Sequence, residues 1–191
     1  MDSSELRVEL EKHHRESYGW ALGCCARNSE EAESVLQAVY LKVLEGKARF
    51  DGRAAFKTWL FAVIRKTAAD ERRKSVFRWF RLTQDESYAV SSAGAESLEN
   101  AVFRSEIQLA LRRALTRLPK RQREVLQLVF YHDLSLAEAA EVMGVSLGSA
   151  RTHYERGKKR LRKLIEASGV FDESGTGRKN NPGIVQTTET R

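Results

Sequence analysis

The side chains best equipped for chemistry in this chain are cations, and most of them crowd into one short stretch. Between Leu147 and Ile165 lie Arg151, Arg156, Lys158, Lys159, Arg160, Arg162 and Lys163, with Glu155 the one acid inside the run. That local surplus nearly equals the formal net charge of the whole 191-residue chain, +7. Guanidinium and ammonium groups clustered in this way hold phosphates, and a sequence pI near 9.6 calls for a polyanionic partner such as nucleic acid.

A second group interleaves rings with cations: Arg49, Phe50, Arg53, Lys57, Trp59 and Lys66. Unpaired bases stack on aromatic rings while cations track the phosphates, at about 1–3 kcal/mol per stacked base, so the pattern suits single-stranded DNA. Phe50 and Trp59 suit a hydrophobic core equally well, and at this point both readings stand. Phe56, Leu60 and Val63 read as core.

Covalent chemistry finds no purchase. There is no P-loop, no nucleophile beside an arginine cluster, no group of metal-binding carboxylates and no Cys/His zinc spacing. No catalytic residue, metal ligand or cofactor site is therefore expected, and a DNA-processing enzyme such as a recombinase is disfavoured. Cys24 and Cys25 are the only cysteines. Adjacent residues on a helix diverge by about 100°, too far for an ordinary disulfide. Cys24 falls on an apolar stripe and reads as a small core residue. His13 and His14 lie roughly three turns away, too far to share a metal with the cysteines on one helix.

The cations need an element to present them. Ser135 with Glu138 forms a capping box, and Leu136, Ala139, Ala140 and Met143 follow at helical spacing. Gly144 supplies a left-handed terminator, and Ser146 caps the next helix. Two helices joined by a tight Gly-containing turn form a helix-turn-helix. Leu147, Ala150, Tyr154, Leu161 and Leu164 make the apolar stripe of the second helix, with Gly157 in line. Upstream, Ile107, Leu111, Leu115 and Leu118 mark a helix that Pro119 stops, and Val125, Leu126, Val129 and Phe130 give the core face of another.

The N-terminal half is equally helical. Leu6, Leu10, His13, Ser17, Trp20 and Cys24 trace one face of an opening helix running to near Arg27, with His13 half-buried. Asn28 or Ser29 caps a second, in which Ala32, Val35, Leu36, Val39, Tyr40, Val43 and Leu44 keep three-four spacing. After the basic loop Gly46–Arg53 a third begins near Ala54. From Ser75 the texture changes: apolar and basic residues give way to TQDESYAVSSAGAESLEN, which reads as a linker. Phe77, Trp79 and Phe80 either extend the third helix or dock on a partner. The Gly-, Asn- and Thr-rich stretch from Ser168 onward reads as a disordered tail.

The class is thus all-α: two small helical domains joined by a flexible linker, the C-terminal one carrying the helix-turn-helix. No run approaches transmembrane length, and the first residues offer no apolar core for a signal peptide. The expectation is a cytoplasmic chain without membrane insertion.

Both halves together resemble a bacterial RNA polymerase sigma factor of the extracytoplasmic-function (ECF) group. EEAESVLQAVYLKVLEGKARFDGRAAFKTWLFAVIRKTAADERRK is similar to the group's region 2, and LPKRQREVLQLVFYHDLSLAEAAEVMGVSLGSARTHYERGKKRLRKLI to its region 4. The resemblance implies region 2 at 1–75, a linker at 76–100, region 4 at 101–167 and a tail at 168–191. It implies a non-enzymatic factor that binds core polymerase through Glu33, Ser34, Gln37, Tyr40 and Leu41. Phe50, Arg53, Lys57, Trp59 and Lys66 would open and read the −10 element. Ser149, Arg151, Thr152, Glu155, Arg156 and Lys159 would read duplex at the −35 element, and an anti-sigma factor is an expected partner. The group usually has acids flanking Gln37, where this chain has Ser34 and Ala38, and an Asn where it has Lys66. The rival reading is an autonomous helix-turn-helix regulator that binds duplex DNA without polymerase. The charged aromatic loop around Phe50 makes a poor dimer interface and weighs against it.

Overall fold

The computed structural model describes residues 2–82 and 102–168; the expected linker beyond Leu82 and the expected tail beyond Ser168 lie outside the described residues. Every regular element among them is an α-helix. Asp2 opens α1 (Ser3–Lys12), accepting from the Ser4 and Glu5 amides at 2.8 Å, and Glu5 closes a capping box. α2 spans His14–Cys24. The single opening helix of the sequence reading is therefore two. The break is His13 (φ −95°, ψ 5°), whose ring contacts Glu9 at 3.5 Å and Glu16 at 3.2 Å and stacks on Phe56. Held to α4 in this way, His13 leaves the helical path. The segment also ends earlier than expected, at Cys24, because Ala26 and Arg27 turn left-handed (φ 52° and 67°).

Asn28 caps α3 (Ser29–Leu44), accepting from the Glu31 amide at 3.1 Å. Its buried face is Ala32, Val35, Leu36, Val39 and Val43, while Leu44, the last residue of the expected stripe, is exposed. α4 runs from Phe56 to Leu82, so the helix continues past the change of texture at Ser75. Trp20 of α2 and Phe61 of α4, both fully buried, stack at 5.8 Å, and the Trp20 indole donates to the Phe61 carbonyl at 3.0 Å. Such a pair adds about 0.5–1.5 kcal/mol beyond the area it buries, and it locks α2 to α4.

The C-terminal body contains α5 (Val102–Thr116), α6 (Lys120–Phe130), α7 (Leu136–Met143) and α8 (Leu147–Glu166). α6 buries Val125, Leu126 and Leu128, whereas Phe130, expected inside, is 62% exposed. Two residues past Leu128 lies about 200° around a helix, which turns Phe130 outward, where it stacks on Tyr154 of α8. Gly157 lets α8 lie close on α6: a Cβ there would sit 3.2 Å from Leu126 and 3.3 Å from Gln122.

The sequence suggested two cores, and the two bodies indeed have separate helices, but their cores meet. One buried cluster runs from Leu10, Trp20, Leu60 and Phe61 into Val125, Leu128, Leu134, Ala139 and Met143. α7 packs against α4, and α6 approaches α2.

Candidate nucleic-acid interface

The helix-turn-helix is built as its residue types dictate. Ser135 accepts from the Glu138 amide at 3.2 Å, and the Glu138 carboxylate accepts from the Ser135 amide at 2.9 Å. Hydrogen bonds from the Ser135 hydroxyl and amide hold the Glu138 carboxyl below the usual carboxylate range, against partial burial. Gly144 turns left-handed (φ 61°, ψ 44°), and Ser146 caps α8 by accepting from the Ser149 amide at 3.2 Å. α8 is then fixed by Ala150 and Gly157, both buried, and by the Tyr154–Phe130 stack at 5.8 Å. Leu147, expected on the packed stripe, is exposed, since it lies in the first turn where α8 leaves the body.

Ser149, Arg151, Thr152, Glu155, Arg156 and Lys159 are all exposed. Ser149, Thr152, Arg156 and Lys159 follow one another at three- and four-residue steps on one face, with Arg151 and Glu155 beside them. Arg151, Arg156 and Lys159 form no ion pair with an acidic side chain among the described residues, whereas Lys158 pairs with Glu155 at 3.1 Å and lies 4.6 Å from the Tyr154 ring centroid. Arg162 likewise engages Glu166 at 2.8 Å. The set facing outward at the start of the helix is thus cations and short hydroxyls, suited to phosphates and base edges.

The ring-and-cation group divides. Phe50, Phe56 and Trp59 form a triangle with each pair of centroids 5.3 Å apart. Phe56 is buried, while Phe50 and Trp59 are half-buried, so these two belong partly to the core and partly to the surface. Arg53 stands out on the loop, 89% exposed, against Asp51 at 3.3 Å. Lys66 is exposed and forms no ion pair with a described residue. Lys57 is placed apart from that set: its ammonium reaches Glu16 and the His132 carbonyl, each at 2.8 Å. On α3, Glu33, Ser34, Gln37 and Leu41 share an exposed face, and Tyr40 at its edge bonds His14 at 3.0 Å.

Sequence reasoning missed the junction of the two bodies. Gln127 donates to the Gly19 carbonyl at 3.2 Å, and Arg65 meets Glu124 at 3.3 Å. His132, at 1% exposure, stands edge-on to Trp20 (5.9 Å), Phe61 (4.8 Å) and its neighbour Tyr131 (4.9 Å). The one signal in the sequence was the pair Gly19 and Gly23, glycines one turn apart inside an α-helix that gains nothing from them.

Two compact helical bodies, one with a cation-bearing helix-turn-helix and one with a basic aromatic loop, define a transcription-type DNA-binding protein. Residues 10–77 match the family model for sigma-70 region 2, and residues 108–161 match that for sigma-70 region 4. The chain is 28% identical to the ECF RNA polymerase sigma factor SigX of Bacillus subtilis, over 96% of each chain. It is 29% identical to the ECF sigma factor SigM of Mycobacterium tuberculosis, over 81% of this chain and 74% of that one. Its fold is similar to that of the sigma factor RpoE of Bartonella quintana, solved in complex with the anti-sigma factor NepR. There the TM-score is 0.65 at 20% identity, covering 85% of this chain and 97% of the other. The chain belongs to the sigma-70 family, in its extracytoplasmic-function group. Its work is accordingly non-enzymatic: it directs transcription initiation by RNA polymerase at promoters.

Proposed function

We propose the following division of labour within that activity. Glu33, Ser34, Gln37, Tyr40 and Leu41 on α3 bind core polymerase. Phe50, Arg53, Trp59 and Lys66, joined by Lys57 when its present partners release it, open and read the −10 element. Arg151, Thr152, Ser149 and Glu155 face −35 base edges, while Arg156 and Lys159 hold phosphates. The carrying observation is the exposed face of α8, whose three cations Arg151, Arg156 and Lys159 are unpaired among the described residues although Glu155 stands beside them. Region 2 occupies 1–75 and region 4 occupies 101–167, and the protein works in the cytoplasm. No helix among the described residues is long and apolar enough to cross a membrane. The relatives seen in complex with anti-sigma factors support such a partner here too.

The test is binding of the labelled chain to purified bacterial core polymerase without DNA, followed by run-off transcription. Saturable binding that a housekeeping sigma factor displaces, with Arg151→Ala losing transcription from −35-dependent promoters, supports the assignment. Tight, sequence-specific binding of duplex by the chain alone, with no binding to core, would overturn it in favour of an autonomous regulator.

A further inference from the structure

A hydroxyl is an ambiguous reader of DNA, since it can donate or accept, and the start of α8 removes that ambiguity. Thr152 Oγ1 donates to the Gly148 carbonyl, one turn back, at 3.0 Å. A carbonyl only accepts, so the Thr152 proton is committed to the helix, and its exposed oxygen offers lone pairs outward. Turning that proton outward forfeits the bond, which costs about threefold to tenfold in binding. The same bond selects one χ1 well of a β-branched side chain and so fixes where the oxygen stands. Ser149 is set the opposite way. Its Oγ accepts from Ser146 Oγ at 3.0 Å, while Ser146 Oγ accepts from the Ser149 amide at 3.2 Å, so the Ser149 proton is left to point outward.

Three residues beyond Thr152, Glu155 adds a second acceptor. Its side chain is 68% exposed, and the Lys158 ammonium holds Oε1 at 3.1 Å. Lys158 itself sits 4.6 Å from the centroid of the Tyr154 ring, which stacks on Phe130 of α6 at 5.8 Å. Through that chain of contacts the carboxylate is anchored to the body of the domain. An ionised carboxylate has no proton to donate. Side chains three apart on a helix lie about 5–6 Å apart, or one to two steps at ~3.4 Å per base pair. Thr152 and Glu155 therefore meet nearby base pairs, both as acceptors.

In the major groove only the amino groups of cytosine (N4) and adenine (N6) donate, whereas guanine O6 and N7, thymine O4 and adenine N7 accept. An acceptor set against an acceptor is left unpaired in a groove that has lost its water. Adenine carries N7 beside its amine, and satisfying both takes a side chain with a donor and an acceptor, such as Asn or Gln. Neither Thr152 nor Glu155 supplies that donor. Cytosine offers an amine with no acceptor next to it. We infer that Thr152 and Glu155 form an acceptor-only pair that selects exocyclic amino groups, so that the −35 element presents cytosine first and adenine second to each of them. The inference rests on the assignment of α8 to −35 duplex and adds to it the chemistry of the bases chosen.

The test is selection from a randomised duplex pool by the full chain, alone at low salt and with core polymerase, followed by transcription from the enriched sequences. Two positions one or two steps apart should favour cytosine over guanine by about tenfold or more. Glu155→Gln, whose amide matches adenine N6 and N7, should turn one of them towards adenine. Thr152→Val has nearly the same shape and no lone pair, and should flatten the other preference by about threefold or more. Thr152→Ser keeps the hydroxyl and its bond to Gly148, and should retain that preference. Tighter binding of all sequences by Glu155→Gln with an unchanged profile would show that the acid only repels phosphates, and would overturn the inference. So would a Thr152→Val profile that matches wild type, or no enrichment in either arm. Failure of the sigma reading looks different: the chain alone would enrich a sequence without binding core, and the same two positions would still judge the acceptor pair.

Discussion

Arg65 on α4 and Glu124 on α6 form an ion pair at 3.3 Å that ties one helical body to the other. The Glu124 carboxylate side chain is 5% exposed and Arg65 is 20% exposed. Lys120 and Arg121 stand farther from the same carboxylate, each at 3.9 Å, so one buried acid answers three cations. Removing it leaves Arg65 half-sealed among like charges. Breaking a fully buried pair costs about 3–5 kcal/mol, and a partly wet Arg65 brings that down, so Glu124→Gln should cost about 1–3 kcal/mol. Urea unfolding should show a lower midpoint. A midpoint equal to wild type would mean the pair adds nothing to stability.

Stability of the helix-turn-helix rests on its caps. Ser135→Ala removes the acceptor for the Glu138 amide and should cost about 1 kcal/mol. Gly144→Ala forces a Cβ into the left-handed region at φ 61° and should cost about 1–2 kcal/mol. Each is read as a drop in thermal midpoint. Gly148, at the exposed start of α8, is a control: alanine there meets only Ser146 Oγ at 4.0 Å and should stabilise slightly through helix propensity.

How much of this was legible beforehand follows from how local each feature is. Caps, the left-handed Gly144 and the apolar stripe of α3 depend on residues three or four apart, so Ser135, Glu138, Asn28 and Val35–Val43 could be read directly. The outward turn of Phe130 could not, because an apolar residue at the edge of a stripe has no local marker for inside or outside. Nor could the break at His13, which is fixed by Phe56, a residue over forty positions away in the chain. The least legible feature was the junction. It joins Gly19 to Gln127 and Trp20 to His132, pairs more than a hundred positions apart, and only the unexplained glycines of α2 hinted at it.

DNA contacts on α8 should sort by what each residue touches. Arg151→Ala should lose about 1–3 kcal/mol at one −35 base position and relax preference there. Lys159→Ala should instead weaken binding across all sequences, with the log–log salt slope falling by about one unit. Transcription by the holoenzyme on a panel of single-base −35 variants distinguishes the two. Identical variant profiles for Arg151→Ala and wild type would remove Arg151 from base recognition.

Strand opening should depend on Lys66 without any effect on folding. Its ammonium is exposed and forms no ion pair with a described residue, so Lys66→Ala should leave the unfolding midpoint within about 0.5 kcal/mol of wild type. Permanganate reactivity of −10 thymines in the holoenzyme–promoter complex should fall, because a phosphate contact that balances the cost of unstacking is gone. Trp59→Ala should lower both reactivity and stability, since its ring also packs on Phe50 and Phe56. Undiminished reactivity in Lys66→Ala would place the opened strand elsewhere on the surface.

Acid should loosen the contact between the bodies, and His132 sets the range. Burial, and then the Lys57 charge, push its imidazole down to about 4 while Glu16 and Asp133 pull the other way. In the separated bodies the same ring takes a proton near its ordinary value of about 6.5. Closure therefore requires the neutral ring. Its contribution is complete above about pH 6.5, shrinks by up to tenfold in the closed-to-open ratio per pH unit below that, and stops changing below about 4. Glu16, despite burial that raises it, is held below the usual range by hydrogen bonds from Lys57 and His13 of its own body, and Glu138 is held low mainly by Ser135 of its own body. Those depressions survive separation, and only the lesser contributions of Thr58 and Lys57 to Glu138 cross the junction, so between pH 6.5 and 5 the imidazole should dominate. With spin labels on Val8→Cys in α1 and Ala137→Cys in α7, two exposed positions, the inter-label distance should accordingly lengthen in the otherwise wild-type chain as pH falls through this window, while the chain carrying His132→Phe, which has nothing to protonate, should keep its distance. Equal pH profiles for the two chains would show that protonation of His132 does not govern the contact.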